Sequence, residues 1–149
     1  MTQHDETCAW RLRRRVLPQH TDHAGVMWHG AYLAWLEEAR VEALQQAGLA
    51  YAELSAAGLE LPVVSLSIQY RQALLHGDQV ELRSWVLPRR GVKLPWISHF
   101  IRADGELAAE AQVELVDLSA GPGQRRLLRR LPGELATAVE QLVSGPTTT

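Results

Sequence analysis

A chain of 149 residues, 46% hydrophobic and 21% charged, has the size of one domain and can bury roughly two-thirds of the surface its unfolded form exposes. A formal charge of −2 gives no global basic field for nucleic acid, no apolar run approaches the roughly 20 residues of a membrane span, and Met1-Thr2-Gln3-His4-Asp5-Glu6 lacks an apolar secretory core. The single cysteine, Cys8, excludes an intrachain disulfide and agrees with a reducing, cytoplasmic compartment.

No internal repeat or linker interrupts the sequence, which reads as one domain over residues 1–149 with its core between residues 9 and 143. Trp10, Leu12 and Val16 alternate with Arg11, Arg13 and Arg15 until Pro18, predicting a strand with one wet face. From Ala31 to Ala47 the period becomes helical. Tyr32, Leu36, Ala39, Ala43 and Ala47 share a face flanked by Leu33, Trp35 and Leu44, and Gly48 supplies the stop. The central alanines let this helix approach its partner closely, and a sheet is the natural partner. A short helical turn follows near Tyr51–Ala57. Val64, Leu66, Ile68 and Tyr70 then alternate with Ser65, Ser67, Gln69 and Arg71, a clear period of two.

Further strands are predicted over Gln79–Leu87, Val92–Ala103 and Glu106–Leu118, the last two joined by Asp104-Gly105, a dipeptide suited to a two-residue hairpin. Ser119-Ala120-Gly121-Pro122-Gly123 breaks the pattern. Gln124–Arg130 is a sixth strand or an extended arm, a final helix spans Gly133–Leu142, and Ser144–Thr149 frays. One long helix followed by consecutive antiparallel strands predicts an α+β layer, a curved sheet wrapped around a central helix.

Chemistry concentrates between the first strand and that helix. There His20, His23 and His29 surround Asp22, with Gly25 and Gly30 nearby. Unpaired N–H groups at a helix start attract developing negative charge, and a carboxylate just upstream can address the same spot as base or nucleophile. Asp22 could equally make an Asx turn, and His29 could be an ordinary polar residue at a helix start. The three histidines with Asp22 suggest zinc, but their spacing matches no common zinc arrangement, so no metal is assigned. No Gly-x-Ser-x-Gly elbow, phosphate-binding Gly-rich loop or catalytic cysteine signature is present.

The pattern Thr21-Asp22-x-x-Gly25-Val26-x-x-His29-x-x-Tyr32-x-x-Trp35-x-Glu37-Glu38-Ala39-Arg40 resembles the signature of hotdog-fold thioesterases of the 4-hydroxybenzoyl-CoA thioesterase type, with further matches at Leu61-Pro62-Val63-Val64 and Arg89-Arg90. Within that family, the run Gln19 to Gly30 is most similar to the 1,4-dihydroxy-2-naphthoyl-CoA hydrolases of phylloquinone synthesis. His23 and Gly30 depart from the usual residues.

The resemblance implies an acyl-CoA hydrolase in which Asp22 attacks the thioester carbonyl or activates water, while the backbone N–H at His29 polarises the carbonyl oxygen. Gly25 would let the backbone turn beside the substrate, and Trp28 would border the acyl pocket. Arg89 and Arg90, read alone as a solvated hairpin tip, would contact the phosphates of CoA. Glu37 and Glu38 read as surface or interface residues, Glu37 pairing with Arg40. No cofactor is implied, CoA being part of the substrate, and no nucleic acid or membrane. Relatives of this type form homodimers or homotetramers with the site at a subunit interface. The alternatives are a hotdog-fold dehydratase or hydratase, and a non-catalytic acyl-thioester binder.

Overall fold

The computed structural model describes residues 4–121 and 124–147. Period-two alternation places one row of each strand inward, and the long helix fills the hollow this row lines. In chain order the elements are β1 (Trp10–Arg15), α1 (His29–Gln46), α2 (Tyr51–Ala56), β2 (Leu59–Glu60), β3 (Val63–Tyr70), β4 (Gln79–Val86), β5 (Lys93–Arg102), β6 (Leu107–Val116), β7 (Leu118–Gly121), β8 (Gln124–Leu127) and α3 (Gly133–Ser144). The main sheet runs β1-β4-β5-β6-β3, and every neighbouring pair is antiparallel. A small second sheet runs β2-β7-β8.

The inward row of β4 and β5, with Leu82, Leu94, Trp96 and Phe100 buried, meets Ala31, Tyr32, Trp35, Leu36, Ala39, Ala43 and Leu44 of α1. The Tyr32 ring stands edge-on to Phe100 at 4.9 Å and to Tyr70 at 5.0 Å. Leu135, Ala138, Val139 and Leu142 of α3 join the same core. There the Trp10 indole N–H donates to the Leu142 carbonyl at 2.9 Å. Gly145, at φ +94°, lies so close to the Cys8 backbone that a β-carbon would collide with it.

Four differences from the sequence reading are informative. The long helix begins at His29, two residues before the predicted Ala31, and Leu33 lies 41% exposed rather than on the buried flank. The β5–β6 turn holds three residues instead of two. Arg102 N–H donates to Glu106 O at 2.9 Å, and Gly105 takes φ +86°, the left-handed residue such loops require. The strand predicted over Glu106–Leu118 divides at Asp117, and Ser119–Gly121, predicted as a break, continues from Leu118 as strand β7, paired with a β2 of two residues too short to show periodicity. Gln124–Leu127 forms the sixth predicted strand, but it pairs with β7 in the small sheet. The expected break at Pro122-Gly123 and fraying at Thr148–Thr149 lie outside the described residues.

The alternation of β3 is real, yet its apolar row is only partly covered, with Ile68 packed on the core. Val64, Leu66 and Tyr70 remain 52%, 40% and 53% exposed because β3 is an edge strand.

Candidate active site

The segment from Thr21 to Met27 folds back on itself. Thr21 and Met27 pair as an isolated antiparallel bridge, Asp22 N–H donates to Val26 O at 2.8 Å, and Gly25 N–H donates to Asp22 O at 3.0 Å. Gly25 sits at φ +78°, where a side chain would be strained. The hairpin is fastened to the core by Met27 N–H on Leu74 O at 2.8 Å and by His76 N–H on Gly25 O at 3.1 Å.

Asp22 caps this turn with one oxygen only. Its Oδ1 accepts from the N–H groups of Ala24 at 2.9 Å and Val26 at 3.1 Å. Among the described residues Oδ2 has no hydrogen-bond partner, and the side chain is exposed. The Asx turn and the chemical role anticipated as rivals are therefore compatible, since one oxygen anchors the carboxylate and leaves the other to face a reactant.

Directly after the hairpin, Trp28 N–H donates to His20 O at 3.1 Å and α1 begins. Ala31 N–H returns to Trp28 O at 2.9 Å. Among the described residues, the N–H groups of His29 and Gly30 have no protein acceptor. An 18-residue helix thus opens, directly after the hairpin that carries Asp22, with two free donors and the positive end of its dipole.

The three histidines do not converge. His20 accepts from Leu17 N–H through Nδ1 at 3.0 Å and stands edge-on to Trp35 at 5.3 Å, so it supports packing. His23 is exposed, and the His29 ring contacts Trp28 edge-on at 5.1 Å. Among the described residues no group of three or more His, Cys, Asp and Glu side chains could hold a metal.

Arg89 and Arg90 occupy the expected turn between β4 and β5 but are held differently. Arg89 donates to the carbonyls of Leu128 at 2.9 Å and Arg129 at 3.2 Å, and lies 3.5 Å from Asp117. That guanidinium is committed to the protein, tying the turn to the segment leading into α3. Arg90 is exposed, and both arginines border a cavity of about 540 Å³ together with Ser65, Ser67, Gln112 and Glu114. No residue of the Asp22 hairpin lines that cavity.

Asp117 escaped sequence reasoning. It is fully buried, and burial pushes its carboxyl above the usual range while Arg89 pulls it back. The only signal was one acid in an otherwise apolar stretch, Leu115-Val116-Asp117-Leu118. Glu38 pairs with Arg14 of β1 at 2.9 Å. The predicted Glu37–Arg40 pairing is only a field effect. Burial lowers the Arg40 pKa, and the nearby Glu37 charge opposes that shift.

Comparison with known proteins agrees with this architecture. The sequence profile of the Thioesterase-like superfamily matches residues 16–136. The protein sll0410 of Synechocystis sp. is 39% identical over 119 residues, covering 79% of this chain and 70% of that one. The acyl-CoA thioester hydrolase YbgC of Escherichia coli O6:H1 is 28% identical over 110 residues, 74% of this chain and 82% of its own. A Staphylococcus aureus DHNA-CoA thioesterase structure superposes with a TM-score of 0.79 at 23% identity, covering 89% of each chain.

A curved antiparallel sheet around one long helix, sharing its course with that thioesterase, is the hotdog fold. The chain belongs to the Thioesterase-like superfamily of that fold.

Proposed function

We propose that this protein hydrolyses acyl-CoA thioesters, with Asp22 as the catalytic carboxylate and the N–H groups at the start of α1 as the oxyanion site. The observation that carries this reading is the divided role of Asp22, whose Oδ1 is held by two N–H groups while Oδ2 has no protein partner, in the hairpin that leads directly into two unpaired helix N–H groups. The thioester carbonyl accepts from the His29 N–H, and one such donor contributes about 2.7–4 kcal/mol to transition-state stabilisation. Asp22 then adds to the carbonyl carbon or takes a proton from the attacking water. The C–S bond breaks, CoA leaves as the thiol, and the oxygen of water enters the product acid or replaces the Asp22 oxygen transferred to it.

Arg90, exposed beside the outer-face cavity, is the phosphate ligand, and Arg89 holds its turn in place. The resemblance of the Gln19–Gly30 run supports an aromatic hydroxyaryl-CoA substrate, with 1,4-dihydroxy-2-naphthoyl-CoA of phylloquinone synthesis as the candidate to test first. The E. coli relative named as an acyl-CoA thioester hydrolase supports the reaction class. The lone cysteine supports a cytoplasmic setting. The active unit is a homodimer in which two copies of edge strand β3 pair about a two-fold axis and cover the Val64, Leu66 and Tyr70 row.

Thiol release from a panel of CoA thioesters tests the reaction. Asp22→Asn should keep the hairpin, because an amide oxygen can still accept from Ala24 and Val26, yet lower kcat by about 10²- to 10⁴-fold. Hydrolysis at the parental rate would end this reading. Label found in the Asp22 carboxylate after single turnover in ¹⁸O-water would establish the anhydride route, since it enters only when water attacks the aspartyl carbonyl of that intermediate.

A further inference from the structure

Gly30 is the second residue of α1, and the indole of Trp28 lies against it. A β-carbon at position 30 would stand 2.5 Å from ring atom Cζ2 and 2.7 Å from Cζ3, and closer still to Cη2. Non-bonded carbons do not approach so closely, so the seat of the indole exists only because residue 30 has no side chain. The His29 ring meets Trp28 edge-on at an interplanar angle of 66°. The Trp28 backbone is fixed by its N–H bond to His20. Despite these supports, 46% of the residue faces solvent, a large apolar surface to leave bare. It adjoins the free N–H of His29 and follows directly on the Asp22 hairpin.

We infer that Trp28, seated on Gly30, is the residue that determines acyl-group specificity, offering a flat wall on which a planar aromatic acyl group stacks. The inference rests on the thioesterase reading above. A rigid ring gains an offset-stacked contact with the indole and loses little freedom, whereas a flexible chain must give up rotamers to lie along the same wall. Gly30 is the second half of the device. The ring is the free end of a side chain, so a methyl group at position 30 moves the indole and not the helix. Alanine is also the better helix former, which makes Gly30→Ala a probe of the wall that does not weaken α1.

The experiment compares kcat/KM for benzoyl and hexanoyl thioesters of N-acetylcysteamine, which carry no phosphate and so bypass the arginines. Trp28→Ala and Gly30→Ala should each lower the aromatic-to-aliphatic ratio by roughly 3- to 10-fold. Trp28→Phe should restore part of it. The double variant should lose no more than Trp28→Ala alone, because both changes act on one ring. An unchanged ratio in Trp28→Ala, or losses that multiply in the double variant, would overturn the assignment. If the parent protein hydrolysed neither thioester nor any CoA ester, the thioesterase reading would fall and take this assignment with it. If the parent hydrolysed both and Trp28→Ala kept the ratio, this assignment alone would fall.

Discussion

Two neighbouring arginines border one cavity and differ in what holds them. Arg90→Ala removes an exposed charge with no structural partner to strand. It should raise KM for CoA esters by roughly 10- to 100-fold and leave an N-acetylcysteamine ester untouched, as steady-state kinetics on both substrates will show. Arg89→Ala should behave differently. It leaves Asp117 buried without its cation and frees two carbonyls, so a stability loss of about 3 kcal/mol is expected in chemical denaturation, the low end of the range for a broken buried pair. The low end applies because burial already pushes Asp117 toward its neutral form. Both arginines were visible in the sequence as a basic turn. Their division of labour was not, because it depends on where Asp117 and the 128–129 carbonyls fall in space.

The outer face of β1 and β4 carries an ion network centred on Glu81. Arg11 lies 2.6 Å and Arg13 2.9 Å away, and Arg83 bridges from Glu81 to Glu6. Burial opposes ionisation of Glu81, but hydrogen bonds from Arg83 and Arg13 and the charge of Arg11 outweigh it and bring the pKa from 4.5 to about 2. A depressed carboxylate stabilises the fold fully above its unfolded pKa and loses that contribution as pH falls through the folded one. Acid unfolding between pH 4.5 and about 2 should therefore be shallower in Glu81→Gln than in the parent when followed by circular dichroism.

The arginines of β1 were legible as a wet row, and the strand's partner was not, since Trp10 pairs with Ser84 across most of the sheet's sequence. Periodicity found every strand of the main sheet. It missed β2 and β7, because two to four residues hold too few repeats to separate a strand from a break. The Asp22 hairpin was recognisable from its residue pattern, yet its anchors at Leu74 and His76 were invisible, being backbone groups that any side chain could carry.

At the scale of the assembly, the partly covered row of β3 makes the proposed dimer testable. Leu66→Arg puts a charge into the centre of that row and should shift sedimentation equilibrium toward monomer, with thiol release falling alongside. A monomeric variant with parental activity would show that one copy holds a complete site.

The bond from the Trp10 indole to the Leu142 carbonyl also governs how the chain is made. β1 leaves the ribosome first, but its sheet partner β4 and the helix that receives its indole come much later. At typical synthesis rates, the interval between β1 and α3 is on the order of ten seconds. Until β4 emerges Trp10 and Leu12 have no strand to pair with, and until α3 emerges the indole N–H has no acceptor. The nascent polypeptide therefore waits with part of its apolar row uncovered, which exposes it to aggregation and to chaperone capture before the domain can close.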